Sequence, residues 1–410
     1  MAAKSILLTN ISKLCGIRNA DVKYVAGQAM SVLPQIESAF LLIEDGHIAS
    51  FGEMANTPER ADEVIDATDK FVLPAWCDSH THLVFAGSRE NEFADRIKGL
   101  TYQEIAARGG GILNSAKKLN ETPEEKLLED ALMRLEEIQQ YGTGAVEIKS
   151  GYGLTYEGEL KMLRVIKRLK EISSLTIKAT FLGAHAYPLA YQSNHQEYLN
   201  LLIQKMLPQI ADEGLADFID VFCEHNYFSV AEMEQVLEAG AKYGLPGKVH
   251  VNQFNVLGGV AAAIKHNCKS VDHLELINDE DIAALHSSHT MPVALPGCSM
   301  FIKIPYTPAR KLIDAGLPVA LATDYNPGSA PSGNMNLVNS LACINMNMSP
   351  EEVINSSTIN GAYAMAVEEP LGTITIGKKA NLIITKPINS IAAMPYYFGS
   401  NPVDRALLFK

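Results

Sequence analysis

From residue 71 to residue 324 the chain alternates short apolar runs with longer amphipathic stretches. The runs Gly144-Ala-Val-Glu-Ile-Lys, Thr176-Ile-Lys-Ala-Thr-Phe-Leu-Gly, Phe218-Ile-Asp-Val-Phe-Cys, Gly247-Lys-Val-His-Val, Ser270-Val-Asp-His-Leu, Met291-Pro-Val-Ala-Leu and Pro318-Val-Ala-Leu-Ala-Thr-Asp read as buried strands. Helix starts are marked between them. Thr122-Pro-Glu-Glu, Ser229-Val-Ala-Glu and Ser349-Pro-Glu-Glu fit the capping-box pattern, two of them with Pro at the first helical position. With the apolar run from Phe71 to His80, this makes about eight β/α units over roughly 300 residues. Such alternation predicts a parallel sheet, and the count favours a closed (β/α)8 TIM barrel over an open doubly wound sheet. No Gly-x-Gly-x-x-Gly follows the first strand, which weakens a dinucleotide-binding reading.

The two ends of the chain are patterned differently. Asp45-Gly46 lies between two apolar segments, a hairpin signal because both central residues need positive φ. Residues 371–386 repeat the style, with short strands around Gly-Lys-Lys. The expectation is an α/β protein in which residues 1–68 and 366–410 build a small β-sandwich and residues 69–365 build the barrel.

Composition narrows the function. The chain has 410 residues, 47% hydrophobic and 20% charged, which suits a globular protein long enough for a barrel and an accessory unit. A net charge of −13 argues against nucleic acid or an anionic membrane as partner, and an anionic small substrate would need a local Arg or Lys. Six cysteines at 15, 77, 223, 268, 298 and 343, with no Cys-x-x-Cys, read as reduced, packed thiols of a cytoplasmic protein. Neither a signal peptide nor a membrane span is expected.

The candidate chemistry sits at the strand ends, which face the active site in a barrel. Reading them gives His80 and His82, Lys149 and Tyr152, His185, Glu224 and His225, His250, His273, and Asp324. In His80-Thr-His82 the imidazoles are two apart, so they share one face of a strand. Neutral imidazoles with a carboxylate suit Zn or Fe: His80, His82 and His250 supply nitrogen, and Asp324 both ligates and accepts a proton. His273 orients or helps deprotonate a water whose pKa a bound ion lowers from 15.7 to about 7–9. Taken alone, Asp324 reads equally as a turn residue before Asn326-Pro-Gly, and Arg89 as the partner of Glu90 or Glu92.

Leu73-Pro-Ala-Trp-Cys-Asp-Ser-His-Thr-His resembles the first-strand motif of the amidohydrolase superfamily, and His250, His273 and Asp324 match its later strand-end positions. Arg89-Glu-Asn-Glu-Phe, Ala107-Arg-Gly-Gly-Gly-Ile, Glu147-Ile-Lys-Ser-Gly-Tyr-Gly-Leu, Phe181-Leu-Gly-Ala-His-Ala and Asp324-Tyr-Asn-Pro-Gly-Ser resemble the imidazolonepropionase family within it. The resemblance implies one metal ion, Zn or Fe, on His80, His82, His250 and Asp324. It also implies hydrolytic ring opening of 4-imidazolone-5-propanoate to N-formimidoyl-L-glutamate in histidine degradation, and a homodimer. The substrate would meet Arg89, Tyr152, His185 and Gln253, and the product Tyr152, Asn326, Gly328 and Ser329. Arg89 offers a forked donor to the propionate, while Tyr152 and His185 read as donors to the carboxylate or ring carbonyl. Catalysis is assigned to Asp324, His273 and His185.

Another cyclic-amide hydrolase or a purine or pyrimidine deaminase is the alternative on the same scaffold. Gln253 stands where such deaminases carry a proton-shuttling Glu, and an amide cannot shuttle protons. Lys149 could be carbamylated to bridge two ions, but its place in Lys-Ser-Gly-Tyr favours a packing or hydrogen-bonding role. The Gly109-Gly-Gly triplet reads as an anion-binding nest or as a flexible loop.

Overall fold

The structure, a computed structural model, describes residues 5–100, 104 and 110–410. Eight parallel strands follow one another in chain order: β6 (Trp76–Thr81), β7 (Thr143–Lys149), β8 (Thr176–Ala184), β9 (Phe218–Cys223), β10 (Gly247–Val251), β11 (Ser270–His273), β12 (Met291–Ala294) and β13 (Ala320–Leu321). Each is buried on both faces, the reason they read as near-continuous apolar runs. The ring closes beyond β13, where Thr81 bridges Tyr325, Asp324 N donates to His80 O at 2.9 Å and His82 N donates to Tyr325 O at 2.9 Å. Asp78 fastens this seam by accepting from Thr323 N (3.0 Å) and Thr323 Oγ1 (2.6 Å).

A separate seven-stranded sheet joins the two ends of the chain. It comprises β1 (Ser5–Cys15), β2 (Gln35–Glu44), β3 (His47–Glu53), β4 (Glu63–Asp66), β5 (Phe71–Pro74), β14 (Leu382–Thr385) and β15 (Val403–Leu407), ordered β15-β14-β5-β1-β2-β3 with β4 also on β1. The β2–β3 hairpin turns at Asp45 (φ 46°) and Gly46 (φ 77°), the doubly positive pair that Asp-Gly favours.

The apolar run from Phe71 to His80 is two strands rather than one. Ala75 N donates to Asn381 O on the sheet side at 2.9 Å, and Trp76 N donates to Gly142 O on the barrel side at 2.9 Å, so the chain changes sheets at a single residue. Capping boxes form at Ser229 and Ser349. Thr122 caps no helix start, because its hydroxyl donates to Lys118 O at 2.7 Å and closes the preceding helix, Ile112–Glu121. The next helix, Glu124–Gln140, starts from Pro123 without a side-chain cap. All six cysteines are free. Among the described residues no helix is long and apolar enough to cross a membrane.

Candidate active site

His80 is the last residue but one of β6 and His82 lies just past its end, and both side chains are buried beside His250 of β10. The ring centroids of His80 and His250 are 4.4 Å apart, and His82 Nε2 lies 3.5 Å from His250 Nε2. Asp324 Oδ1 completes the group at 3.6 Å from both His80 Nε2 and His82 Nε2. Four ligands around one tetrahedral ion at zinc bond lengths stand on the order of 3.4 Å apart. His80 Nε2 is buried without a hydrogen-bond partner, an orphaned lone pair aimed at the same point. The three histidines alone bring their ligand atoms within 4.8 Å of one another. The donor set and its spacing therefore fit a metal ion.

The backs of these rings are held by carboxylates inside the barrel. His80 Nδ1 donates to Asp272 Oδ2 at 2.6 Å and His250 Nδ1 to Asp220 Oδ1 at 3.1 Å, which turns the Nε2 lone pairs toward the common point. Burial lowers the proton affinity of all three imidazoles, to a pKa of about 3 for His250, so they stay neutral as ligands must. Asp220 is pushed up by burial, but the Lys149 ammonium and the hydrogen bonds from His250 and Lys149 outweigh this and hold it low. Lys149 Nζ lies 2.6 Å from Glu147 Oε1, 2.8 Å from Asp220 Oδ2 and 3.7 Å from Asp272 Oδ2. Burial would strip its proton, yet these three carboxylates raise its proton affinity well above the ordinary lysine value. Lys248 joins the network through Glu147 and donates to Ser79 O at 3.0 Å. Lys149 is thus a buried ammonium that pairs the orienting carboxylates.

Beyond the histidines a cavity of about 430 Å³ opens, lined by His82, Arg89, Tyr152, His185, His250, Gln253, His273, Asp324, Asn326, Gly328 and Ser329. These, with His80 behind them, are the residues to which the sequence assigned metal binding, substrate binding and catalysis. Two of them, His273 (φ 87°) and Asp324 (φ 56°), stand where the backbone bends at a strand end with positive φ, an uncommon conformation for such residues. Asp324 Oδ2 faces Ser329 Oγ at 3.4 Å, and burial raises this carboxyl to about 6. Asn326 Oδ1 accepts from Gly328 N and Ser329 N, both at 2.8 Å, which fixes the loop after the last strand.

His185 departs from the donor role expected of it. Its Nδ1 lies 2.9 Å from Gly151 O, and a carbonyl can only accept, so the proton sits on Nδ1. Burial lowers the pKa to about 4, which leaves Nε2 a neutral acceptor. Gly151 permits the contact: its φ is 101°, and a Cβ there would stand 3.0 Å from His185 Nδ1. Arg89 takes the pairing with Glu92, through Nε at 2.8 Å and Nη2 at 2.5 Å, while remaining on the cavity wall. Glu224 and His225 bring no chemistry to the cavity. Glu224 clamps a loop by accepting from Phe254 N, Asn255 N and Asn255 Nδ2, and His225 is exposed. Gly109 lies outside the described residues, and Gly111 N donates to Glu92 Oε1 at 3.1 Å.

Sequence reasoning missed Asp220, Asp272 and Lys248, although a charge inside an otherwise apolar strand is a visible signal. It also missed Glu275, whose Oε1 lies 3.3 Å from His273 Nδ1, and Arg96, which joins Arg89 at the cavity wall. Burial would lower the proton affinity of His273, but the Glu275 carboxylate outweighs it and the pKa is raised.

The Amidohydrolase family's sequence pattern matches residues 71–405. The chain is 61% identical over 403 residues to the imidazolonepropionase of Flavobacterium johnsoniae, covering 98% of both chains. It is 40% identical over 410 residues to that of Caldanaerobacter subterraneus, covering 99% of this chain and 97% of the relative. Among solved structures the fold is similar to a triazine hydrolase variant (TM-score 0.74, 14% identity, 99% of this chain and 93% of that one). It is also similar to a guanine deaminase from C. acetobutylicum with bound guanine (TM-score 0.71, 15% identity, 98% of each chain).

Proposed function

Because the chain belongs to the amidohydrolase family, and within it to the imidazolonepropionases, we propose that it opens the ring of 4-imidazolone-5-propanoate to N-formimidoyl-L-glutamate at the cavity over His82 and Asp324. The observation that carries this reading is one cavity holding a convergent His/His/His/Asp group at its floor and a guanidinium at its wall. A ring amide can reach the first while a carboxylate on a short arm reaches the second. The activity is hydrolysis of a cyclic amide C–N bond, the step of histidine degradation that the relatives' name implies.

His80, His82, His250 and Asp324 would hold one ion, Zn or Fe, which when bound supplies Lewis-acid polarisation and an acidified water. The protein's own groups do the rest. Arg89 donates to the propionate, and Gln253 binds the ring amide with its own amide. His185 Nε2 accepts a ring N–H, which selects the face and tautomer presented to the floor. Asp324 Oδ2 takes a proton from the attacking water and returns it to the departing ring nitrogen. His273, backed by Glu275, donates to the oxygen on which negative charge develops. Water is split across the bond: its oxygen joins the carbonyl carbon as a carboxylate, and a proton ends on nitrogen. Asn326, Gly328, Ser329 and Tyr152 then face the opened product. Gln253 supports this reading over deamination, since proton transfer falls to Asp324 and His273.

The test is an assay of the purified protein on 4-imidazolone-5-propanoate, with product and ammonia followed separately. N-formimidoyl-glutamate without ammonia is expected. Ammonia release from a purine or pyrimidine, with no ring opening, would overturn the reading in favour of a deaminase.

A further inference from the structure

We infer that Arg96 is a second carboxylate-binding group of this site, so that the ligand's acid arm lies between two guanidiniums meeting at Gly328. The inference rests on the reading above that the ligand is an organic anion.

Arg89 caps the start of the helix Glu90–Ile97 and Arg96 lies in its last turn, seven positions on, so the two project from the same side of it. Both converge on one glycine. Arg96 Nη2 donates to Gly328 O at 3.0 Å, and a Cβ on Gly328 would stand 2.4 Å from Arg89 Nη1. The Arg96 guanidinium is held over the Phe301 ring, 5.1 Å from its centroid, which fixes its orientation at the cavity wall.

Arg89 already gives its Nε and Nη2 to one oxygen of Glu92. That edge is the fork a bidentate carboxylate would use. While Glu92 holds it, the edge of Arg89 turned to Gly328 makes a one-point contact, and the other oxygen of a bound carboxylate needs a second donor. Arg96, also on the cavity wall, reaches the carbonyl of the same glycine. The charges agree: among the described residues of the wall, the two guanidiniums and Glu92 leave one net positive charge, matching a monoanion. Burial lowers the proton affinity of Arg96, and the charge of Arg89 lowers it further, so the two cations are close enough to repel. An anion between them relieves that repulsion.

The experiment compares two probes on metal-loaded protein by calorimetric titration, 3-(imidazol-4-yl)propanoate and 4-methylimidazole, which shares the ring but lacks the carboxylate. Arg96→Met is expected to weaken the propanoate by about tenfold or more and methylimidazole by less than about twofold. Arg96→Lys, which keeps the charge and disturbs the helix least, is expected to weaken the propanoate alone and by less. Equal weakening of both probes, or of neither, overturns the inference, since a merely structural Arg96 would not discriminate for the carboxylate. Arg89→Met serves as the reference. If it discriminates and Arg96→Met does not, only the second group is overturned. If neither discriminates, the organic-anion reading falls with it.

Discussion

His80 Nδ1 and Asp272 Oδ2 stand 2.6 Å apart in the barrel interior, neither side chain reached by solvent. This contact turns the unpartnered Nε2 of His80 toward Asp324, and His250 is turned the same way by Asp220. Replacing Asp272 with Asn keeps the shape but allows the amide to present N–H to the ring. Asp272→Asn is expected to weaken metal binding by about 10- to 100-fold. Metal retained after dialysis against graded chelator checks this, and unchanged retention would contradict the orienting role.

Lys149 contacts Glu147 and Asp220 as a buried ammonium. Carbamylation requires the neutral amine, so protein prepared free of bicarbonate is expected to keep full activity. Lys149→Met strands buried carboxylates and is expected to cost about 3–5 kcal/mol of stability. Urea unfolding measures the loss, and a bicarbonate requirement would contradict the ammonium assignment.

Gly328 lacks the Cβ that would meet Arg89 Nη1 at 2.4 Å. The obstructed atom is the tip of a flexible side chain, so the fold can absorb the change while the guanidinium moves. Gly328→Ala is expected to raise KM by about tenfold with an unchanged melting temperature and a kcat within about twofold. A pure kcat defect would place the glycine's role elsewhere.

The folded protein holds the pKa of His185 at about 4, while the unfolded chain takes a proton near the ordinary 6.5. Between those values the unfolded state binds the extra proton, so this group's contribution is intact above pH 6.5 and is lost as pH falls toward 4. His185→Gln removes that titration. The stability of the parent relative to His185→Gln is therefore expected to decline from pH 7 to pH 4.5, as read by chemical denaturation at each pH. A constant difference would contradict a neutral, buried His185.

The barrel was legible because each strand is an apolar run of strand length separated by helix signals. Asp45-Gly46 likewise specified its own hairpin. What the pattern concealed was where one strand becomes two, since Phe71–Thr81 is buried throughout, its apolar part runs unbroken from Phe71 to Cys77, and only the hydrogen bonds at Ala75 and Trp76 divide it. Around the site, His80, His82, His250 and Asp324 stood out as metal-ligand residue types at strand ends. Asp220 and Asp272 did not, because they lie within the strands and act through neighbouring rings. The tautomer of His185 was out of reach as well, being set by a carbonyl 34 residues away in the chain.

The most direct measurement is ring opening of 4-imidazolone-5-propanoate by chelator-stripped protein titrated with Zn or Fe. A rate that rises in proportion to added metal and levels at one equivalent per chain is predicted, with Asp324→Asn and His250→Ala flat throughout. Ring opening at full rate without metal, or a plateau reached only at two equivalents, would contradict a one-ion site built from His80, His82, His250 and Asp324.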